Sequence, residues 1–193
     1  MISPHGGSLV DRKIPEKDLE DIRASARNLK KIHLTTLEES DLIMIGIGAY
    51  TPLRGFMVER DYLAAVHSMR LADGTVWPMP VTLAVSEEEA AELDIGSHAG
   101  LVSSETGELM GMITIEDIYR PDKSAECAEV FHTGDPHHPG VEKVLSRGSV
   151  YIGGPVTLFS EGHYPRRFSA YARPEETRNP MHRSHEYLAK LAL

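Results

Sequence analysis

The order of hydrophobic and polar positions predicts helices in the first part of the chain. Over residues 15–29, apolar side chains recur at the spacing of one helix face, with acidic residues early and basic residues late. Thr36 begins a capped helix start, and Gly48 ends the apolar run that follows through residue 47. A third helix is predicted over 58–71 from an apolar stripe: Tyr62, Leu63, Val66 and Met69.

Beyond residue 71 the pattern changes to short strands separated by turns. Strands are predicted at 76–85, 99–102, 109–119, 150–152 and 156–159. Residues 103–108 form a hairpin-type connection, 87–93 provide one or two helical turns, and Gly153-Gly154-Pro155 is predicted to break the last strand pair. Helices followed by short strands favour an α+β domain around a barrel-like sheet.

Composition and charge exclude several classes of protein. The 193 residues, 41% hydrophobic and 25% charged, have room for one substantial domain with part of another. The net charge of −9 argues against binding to a nucleic-acid backbone. The longest apolar run, 42–49, is too short for a membrane span and the N-terminus lacks a secretory pattern, so a cytoplasmic location is expected. The single Cys127 excludes an intrachain disulfide and is predicted to be buried.

The residues near the end of the chain are typical of an anion-binding helix start. Asn179 is a good N-cap, and Pro180 follows at the first helical position. His182 and His185 are three residues apart and share one helix face, while Arg178 lies at the positive end of the helix dipole. The alternative is a surface helix with ordinary polar residues.

The remaining motifs do not indicate other chemistry. The sequence has no P-loop and no nucleophile elbow. Loop 131–140 holds His and Asp but matches no standard zinc spacing, so no metal site is predicted. Trp77 is predicted to pack, and the charged turn 120–123 to be solvated or to pair with a neighbouring domain. Residues 160–176 are predicted to be a polar linker with a basic spot at Arg166, Arg167 and Arg173.

Motifs over nearly the whole chain match one known family in order. They are Ser3–Gly7 with Leu9-Val10, Gly48–Met57, Arg70–Gly74 leading into Trp77-Pro78, Arg120–Lys123, Asp135–Val141, Tyr151–Pro155 and Thr177–Leu188. The ordered set resembles the ATP sulfurylases, also called sulfate adenylyltransferases. No single motif is decisive, whereas the ordered set is specific.

The resemblance implies a fold and a reaction. Residues 1–168 would form a PUA-like β pseudo-barrel with flanking helices. Residues 169–193 would be a linker and the first helix of a truncated Rossmann-like nucleotidyltransferase domain. Members of this family join ATP and sulfate to give adenosine 5′-phosphosulfate and pyrophosphate, in sulfate assimilation or sulfur oxidation. The resemblance implies ATP as a substrate, expected as its magnesium complex, and no resident cofactor is predicted. The net charge and the short apolar run predict no nucleic-acid and no membrane partner.

Five residues are implied to carry the chemistry. The residues matching Arg178 and Asn179 contact sulfate and the nucleotide phosphates, with Thr177 beside them. Those matching His182 and His185 contact ATP and stabilise charge as pyrophosphate leaves. In-line transfer at phosphorus needs oriented cations and donors more than a covalent nucleophile, which agrees with this set.

Two departures from the family pattern bear on activity. Glu176 stands where the family has Gln, and a carboxylate there would repel sulfate. The residues before Thr177 contain no apolar strand of the kind that a Rossmann-type site requires. Family members carry a helix and a strand before the Thr-Arg-Asn-Pro motif, so we hypothesise that this segment has been lost and that Glu176 is a junction residue.

Three functional hypotheses follow from the sequence. The first is an incomplete sulfate adenylyltransferase, inactive as this chain alone because one short helix cannot cover a parallel sheet. The second is a non-enzymatic PUA-like scaffold or interaction domain, and the third, RNA binding, rests on the fold alone and is disfavoured by the charge. Apolar residues at the chain end (Leu188, Leu191 and Leu193) predict either self-association, including a homo-oligomer, or a frayed C-terminus.

Overall fold

The computed structural model describes residues 4–167 and 171–174, and within them the strands join into one sheet. The strands are β1 (Lys30–Leu34), β2 (Gly55–Phe56), β3 (Leu83–Val85), β4 (His98–Ser103), β5 (Leu109–Thr114), β6 (Asp117–Tyr119) and β7 (Val150–Leu158). The helices are α1 (Leu19–Ala26), α2 (Thr36–Gly46), α3 (Glu59–Ser68), α4 (Glu87–Ala90), α5 (Lys123–Phe131), α6 (Pro139–Ser146) and α7 (Tyr164–Arg167), with a 3₁₀ turn at Glu16–Asp18. The predicted α+β class is confirmed.

The long strand β7 organises the sheet. The order is β1-β4-β5-β7-β2, and β3 and β6 also pair with β7. The first half of β7 pairs with β3 and β6, and the second half pairs with β2 and β5. Every pair is antiparallel except β1 with β4, which is parallel. Because one strand changes neighbours along its length, the sheet curls into a half-barrel.

The predicted break at Gly153-Gly154-Pro155 is wrong, because β7 continues through these residues. A Cβ at Gly153 would lie 2.6 Å from the carbonyl oxygen of Met57, and one at Gly154 would overlap the carbonyl oxygen of Thr114. Gly154 also has φ +148°. The glycines therefore allow neighbouring backbone to approach β7 closely, at the point where the strand exchanges partners.

The helices predicted from apolar periodicity are confirmed with small shifts at their ends. The helix predicted from Thr36 is α2, with Thr35 as N-cap and Glu38 completing a capping box. The helix predicted over 58–71 is α3, and the one predicted over 15–29 is the 3₁₀ turn plus α1. The strand predicted over 109–119 is two strands, β5 and β6.

Two helices that the sequence does not predict, α5 and α6, flank the predicted loop 131–140. Asp122 caps α5 by accepting hydrogen bonds from the amides of Ser124 and Ala125, and Pro139 occupies the first turn of α6. Cys127 of α5 packs with Val141 and Val144 in a small cluster beside the main core, so its predicted burial is confirmed.

The main core lies between the curled sheet and α2 and α3. Its fully buried side chains include Leu34, Leu42, Ile113 and Tyr151. Trp77 packs against this core with its ring edge-on to Tyr50 at 5.8 Å between centroids, which confirms its predicted packing role. Within the described residues, no helix combines the length and the apolar character needed to cross a membrane.

Candidate functional site

The residues predicted to carry chemistry, Thr177, Arg178, Asn179, His182 and His185, lie outside the described residues. So do Glu176 and nearly all of the predicted Rossmann-like fragment, 169–193. What the structure does describe is the place where the chain leaves the sheet towards them. Two segments meet there: the residues that follow β7, and residues 11–19 near the N-terminus.

A buried carboxylate, Glu161, gathers the side chains at this place. The Glu161 cluster consists of Glu161, Lys13, Tyr171 and Arg173. Arg173 donates from Nη2 to Glu161 Oε1 at 2.6 Å and from Nε to both carboxylate oxygens at 2.9 and 3.1 Å. The Tyr171 hydroxyl donates to Oε2 at 2.6 Å, and Lys13 Nζ lies 3.3 Å from Oε1. Glu161 is only 8% exposed, so these partners compensate a carboxylate removed from water.

Backbone pairing at the end of β7 holds Lys13, the partner of Glu161 on the N-terminal side, in place. The amide of Ile14 donates to the carbonyl of Leu158 at 3.2 Å, and the amide of Leu158 donates to the carbonyl of Arg12 at 2.9 Å. These bonds align residues 12–14 with the strand end and bring Lys13 beside Glu161, three residues beyond β7. The Glu161 cluster therefore joins the N-terminal segment, the strand end and the linker.

Electrostatics favour the ionised form of Glu161. Burial raises the pKa of its carboxyl, but the hydrogen bonds from Arg173 and Tyr171 and the charges of Arg173 and Lys13 outweigh burial and hold the pKa below its ordinary value. Arg173 belongs to the basic spot predicted in the linker, and the structure pairs it with Glu161. Its charge is thus already offset by a carboxylate. The side chains of Arg166 and Arg167 lie outside the described residues.

An open cavity of about 500 Å³ adjoins the Glu161 cluster. Apolar side chains form part of its wall: Ile14, Pro15, Leu19, Leu158 and Phe159. The charged groups of Lys13, Glu161 and Arg173 line it as well. Since both acidic and basic groups line the cavity, it does not present the uniformly positive surface that favours an anion.

Replacing Glu161 by Gln is expected to lower the free energy of unfolding by about 1–3 kcal/mol at pH 7, because charge-assisted bonds in a buried site are lost. The pKa of Glu161 is depressed in the folded protein, so its stabilisation is complete above the ordinary value of 4.5 and is lost as the pH falls through the folded pKa. Urea denaturation at pH 7 and at pH 3 checks this. If the free energies of unfolding of wild type and variant differed by as much at pH 3 as at pH 7, the assignment of a negative charge to Glu161 would be contradicted.

Two further buried carboxylates serve the core rather than a site. Glu126 accepts hydrogen bonds from the hydroxyls of Tyr62 and Tyr151, at 2.9 and 3.2 Å. Burial raises the pKa of Glu126. Glu38 of α2 pairs with Arg147 at 3.2 Å, and burial raises the pKa of nearby Asp41 to about 6. Each of these groups is enclosed by packed side chains, so they act on stability.

The histidine-containing loop forms a helix start. The carboxylate of Asp135 accepts from the amide of His137, and Nδ1 of His138 accepts from the amide of Gly140. Across the described ranges, no group of three or more His, Cys, Asp or Glu side chains is placed to hold a metal ion.

The sequence is similar to a family of known proteins. Residues 2–161 match the family model of the PUA-like domain. The chain is 44% identical to the sulfate adenylyltransferase of Chlorobium chlorochromatii, covering 100% of this chain and 53% of the relative. It is 41% identical to that of Desulforamulus reducens and 38% identical to that of Entamoeba histolytica, covering 99% and 100% of this chain and 54% and 51% of the relatives. The chain thus spans about half the length of the curated relatives it matches.

The fold also resembles a solved structure described as a hexameric APS kinase from Thiobacillus denitrificans. The TM-score is 0.70 at 25% identity, over 92% of this chain and 31% of that one. The similarity to the curated relatives extends beyond the family-model match, since it covers residues after 161.

The alignments contain positions that this chain lacks. The match to the Chlorobium chlorochromatii protein runs over 213 aligned residues, whereas the chain has 193, which leaves at least 20 positions without a residue here. The Entamoeba histolytica match runs over 215. These relatives therefore have at least 20 aligned positions with no counterpart in this chain.

Proposed function

Since the chain belongs to the PUA-like domain family and matches sulfate adenylyltransferases along its whole length, we propose that it contributes the PUA-like part and the start of the catalytic domain of such an enzyme. The reaction would join ATP and sulfate to give adenosine 5′-phosphosulfate and pyrophosphate. The observation that carries this proposal is the similarity of about 40% that continues past residue 161 to the predicted motif. Residues 1–168 are the proposed PUA-like domain and 169–193 the proposed start of a Rossmann-like nucleotidyltransferase domain.

The proposed chemistry is an in-line displacement. A sulfate oxygen attacks the α-phosphorus of ATP, a new P–O bond forms, and the bond to the β-phosphate oxygen breaks to release pyrophosphate. Arg178 and Asn179 would orient sulfate and the nucleotide phosphates, with Thr177 beside them. His182 and His185 would stabilise the charge that develops on the leaving pyrophosphate. ATP, as its magnesium complex, would be the substrate, and no resident cofactor is proposed.

The 193 residues by themselves are not expected to complete this reaction. They span about half the length of the relatives, and the alignments leave at least 20 positions empty in this chain. We place that gap immediately before Thr177, where the strand that positions a Rossmann-type site is missing from the sequence. Glu176 would then be a junction residue, and its negative charge would oppose sulfate binding.

Calorimetric titration of the purified chain with magnesium–ATP separates this proposal from a non-enzymatic scaffold. The proposal predicts saturable binding that is lost when Arg178 is replaced by Ala, since the guanidinium pairs with phosphate. Arg120→Ala is the matched control, because Arg120 pairs with Glu87 on the surface of the PUA-like domain. Absence of ATP binding by the wild type, or equal affinity in both variants, would favour the scaffold. Sulfate-dependent pyrophosphate release by the chain alone would contradict the expectation that these 193 residues cannot complete the reaction by themselves.

We further propose that the protein works as a homo-oligomer in the cytoplasm. A solved structure with the same fold is described as hexameric, which supports self-association. Sedimentation velocity on the purified chain tests the oligomer, and a species of about 21 kDa at all concentrations would contradict it.

A further inference from the structure

We propose that Glu161 is a positioning residue, which holds linker residues 171–173 against the PUA-like domain and thereby fixes where the chain enters the segment 177–185. This deepens the proposed function, on which it rests only for the role of that segment. The inference starts from the Glu161 cluster, whose acceptor lies just beyond β7 and whose strongest donors lie in the linker.

The contacts of Glu161 differ from those of a surface ion pair. The side chain of Glu161 is 7% exposed, and Arg173 reaches it through both Nη2 and Nε. The Arg120–Glu87 pair has similar two-point geometry, but its side chains are 68% and 47% exposed. Exposed pairs of that kind contribute little, whereas a buried carboxylate with several charge-assisted bonds holds its partners firmly. Loss of Arg173 would leave the buried Glu161 carboxylate with Tyr171 and Lys13 as its remaining partners in the cluster.

The short length of chain between Arg173 and Thr177 limits how far the segment 177–185 can lie from the Glu161 cluster. Thr177 is four residues from Arg173, so the chain between them can span at most about 14 Å. Without Arg173, the remaining linker contact is that of Tyr171, which is six residues before Thr177 and allows a span of about 21 Å. The volume open to the start of the segment 177–185 would grow by about threefold, and its local concentration would fall by the same factor.

The direction of the linker is set by the same contacts. Arg173 lines the cavity together with Phe159 and Lys13, so the linker forms part of the cavity wall. The Tyr171 hydroxyl donates to Oε2 of Glu161, and Arg173 donates to Oε1 and, through Nε, to Oε2 as well. Two linker side chains on one carboxylate restrict rotation of the chain as well as its distance from the sheet.

Nuclear magnetic resonance on the full 193-residue chain tests the proposal. A spin label on Glu16→Cys, an exposed position lining the same cavity as Arg173, broadens amides that come close to it. Cys127 is buried and does not compete for the label. The measured quantity is the paramagnetic relaxation of the Thr177 and Arg178 amides in wild type, Arg173→Gln, Arg173→Lys and the matched control Arg120→Gln.

The proposal predicts that Arg173→Gln lowers this relaxation about threefold, in line with the larger volume open to a chain that Tyr171 still holds. Arg120→Gln should leave it unchanged, and Arg173→Lys, which keeps the charge but loses the Nε bonds, should restore part of it. The thermal midpoint of Arg173→Gln should stay within about 4 °C of wild type, so that a loss of fold does not explain the change. Equal relaxation in wild type and Arg173→Gln, or the same decrease in Arg120→Gln, would overturn the proposal.

Addition of magnesium–ATP to the same samples separates the two proposals. Relaxation that depends on Arg173 without any ATP-induced shift in residues 177–185 supports the role of Glu161 and contradicts the proposed function. If ATP shifts the signals of residues 177–185 and the relaxation is the same in wild type and Arg173→Gln, the role of Glu161 is overturned and the proposed function is supported.

Discussion

Replacing Glu38 by Ala is expected to lower the free energy of unfolding by about 3–5 kcal/mol, because it breaks a buried ion pair from one side. The Glu38 side chain is 2% exposed and pairs with Arg147 at 3.2 Å. It also accepts hydrogen bonds from the amide of Thr35 at 3.0 Å and the amide of Ala84 at 2.9 Å. The variant would therefore leave one cation and two backbone donors without their acceptor, and would loosen the contact between α2 and β3.

Glu89→Ala is the matched control, measured by urea denaturation in parallel. Glu89 completes a capping box of the same kind in α4 and accepts a hydrogen bond from the amide of Ser86 at 2.9 Å. Unlike Glu38, it lies on the surface and has no ion pair among the described contacts. Its loss should cost about 1 kcal/mol or less. Equal losses for the two variants would show that helix capping alone explains Glu38, and would contradict the assigned role of the buried pair.

Replacing Gly55 by Ala is expected to cost at least about 3 kcal/mol, as backbone has no alternative rotamer with which to make room. Gly55 pairs with Pro155 where β2 meets β7. A Cβ there would overlap the carbonyl oxygen of Gly154 and lie 2.6 Å from the Cα of Pro155. The methyl group would force β2 away from the strand that organises the sheet.

The control for Gly55 is Gly134→Ala. A Cβ at Gly134 meets no atom within 4 Å, and its φ is outside the range that favours glycine. Alanine there should be neutral or should stabilise by up to about 1 kcal/mol, because it restricts the unfolded chain. Thermal unfolding followed by circular dichroism measures both variants. If Gly55→Ala were as stable as Gly134→Ala, the close approach of β2 and β7 would be disproved.

The sequence predicts best those elements whose signal is local. The helices α2 and α3 were predicted from apolar stripes and a cap, and the structure confirms both within a few residues. The helices α5 and α6 were not predicted because Asp122 and Pro139, which begin them, are equally common in turns. The strand β1 is short, carries two lysines and pairs with the distant β4, so only the tertiary structure reveals it.

The continuity of β7 could not be inferred from composition. Gly-Gly-Pro usually marks a break, and here it lets Met57 and Thr114 approach the strand. The Glu161 cluster was missed for a related reason. Its members are separated by 148 residues between Lys13 and Glu161, and by ten between Glu161 and Tyr171. The only local signal was a lone acidic residue three positions after an apolar strand.

The structure tests the predicted fold, but it does not test the predicted catalytic residues. Thr177, Arg178, Asn179, His182 and His185 lie outside the described residues and stay predictions that rest on the motif and on the similarity to sulfate adenylyltransferases. The proposed constraint on their position comes from Arg173, which pairs with Glu161 and lies four residues before Thr177.

The most direct test of the central claim is sulfate-dependent release of pyrophosphate from ATP by a grafted enzyme. Residues 1–161 of this chain replace the PUA-like domain of a complete sulfate adenylyltransferase, such as that of Chlorobium chlorochromatii, which is 44% identical. If this chain is the PUA-like part of such an enzyme, the graft should turn over at a rate within an order of magnitude of its parent. A graft that is folded and binds ATP, yet releases no pyrophosphate in response to sulfate, would contradict the claim.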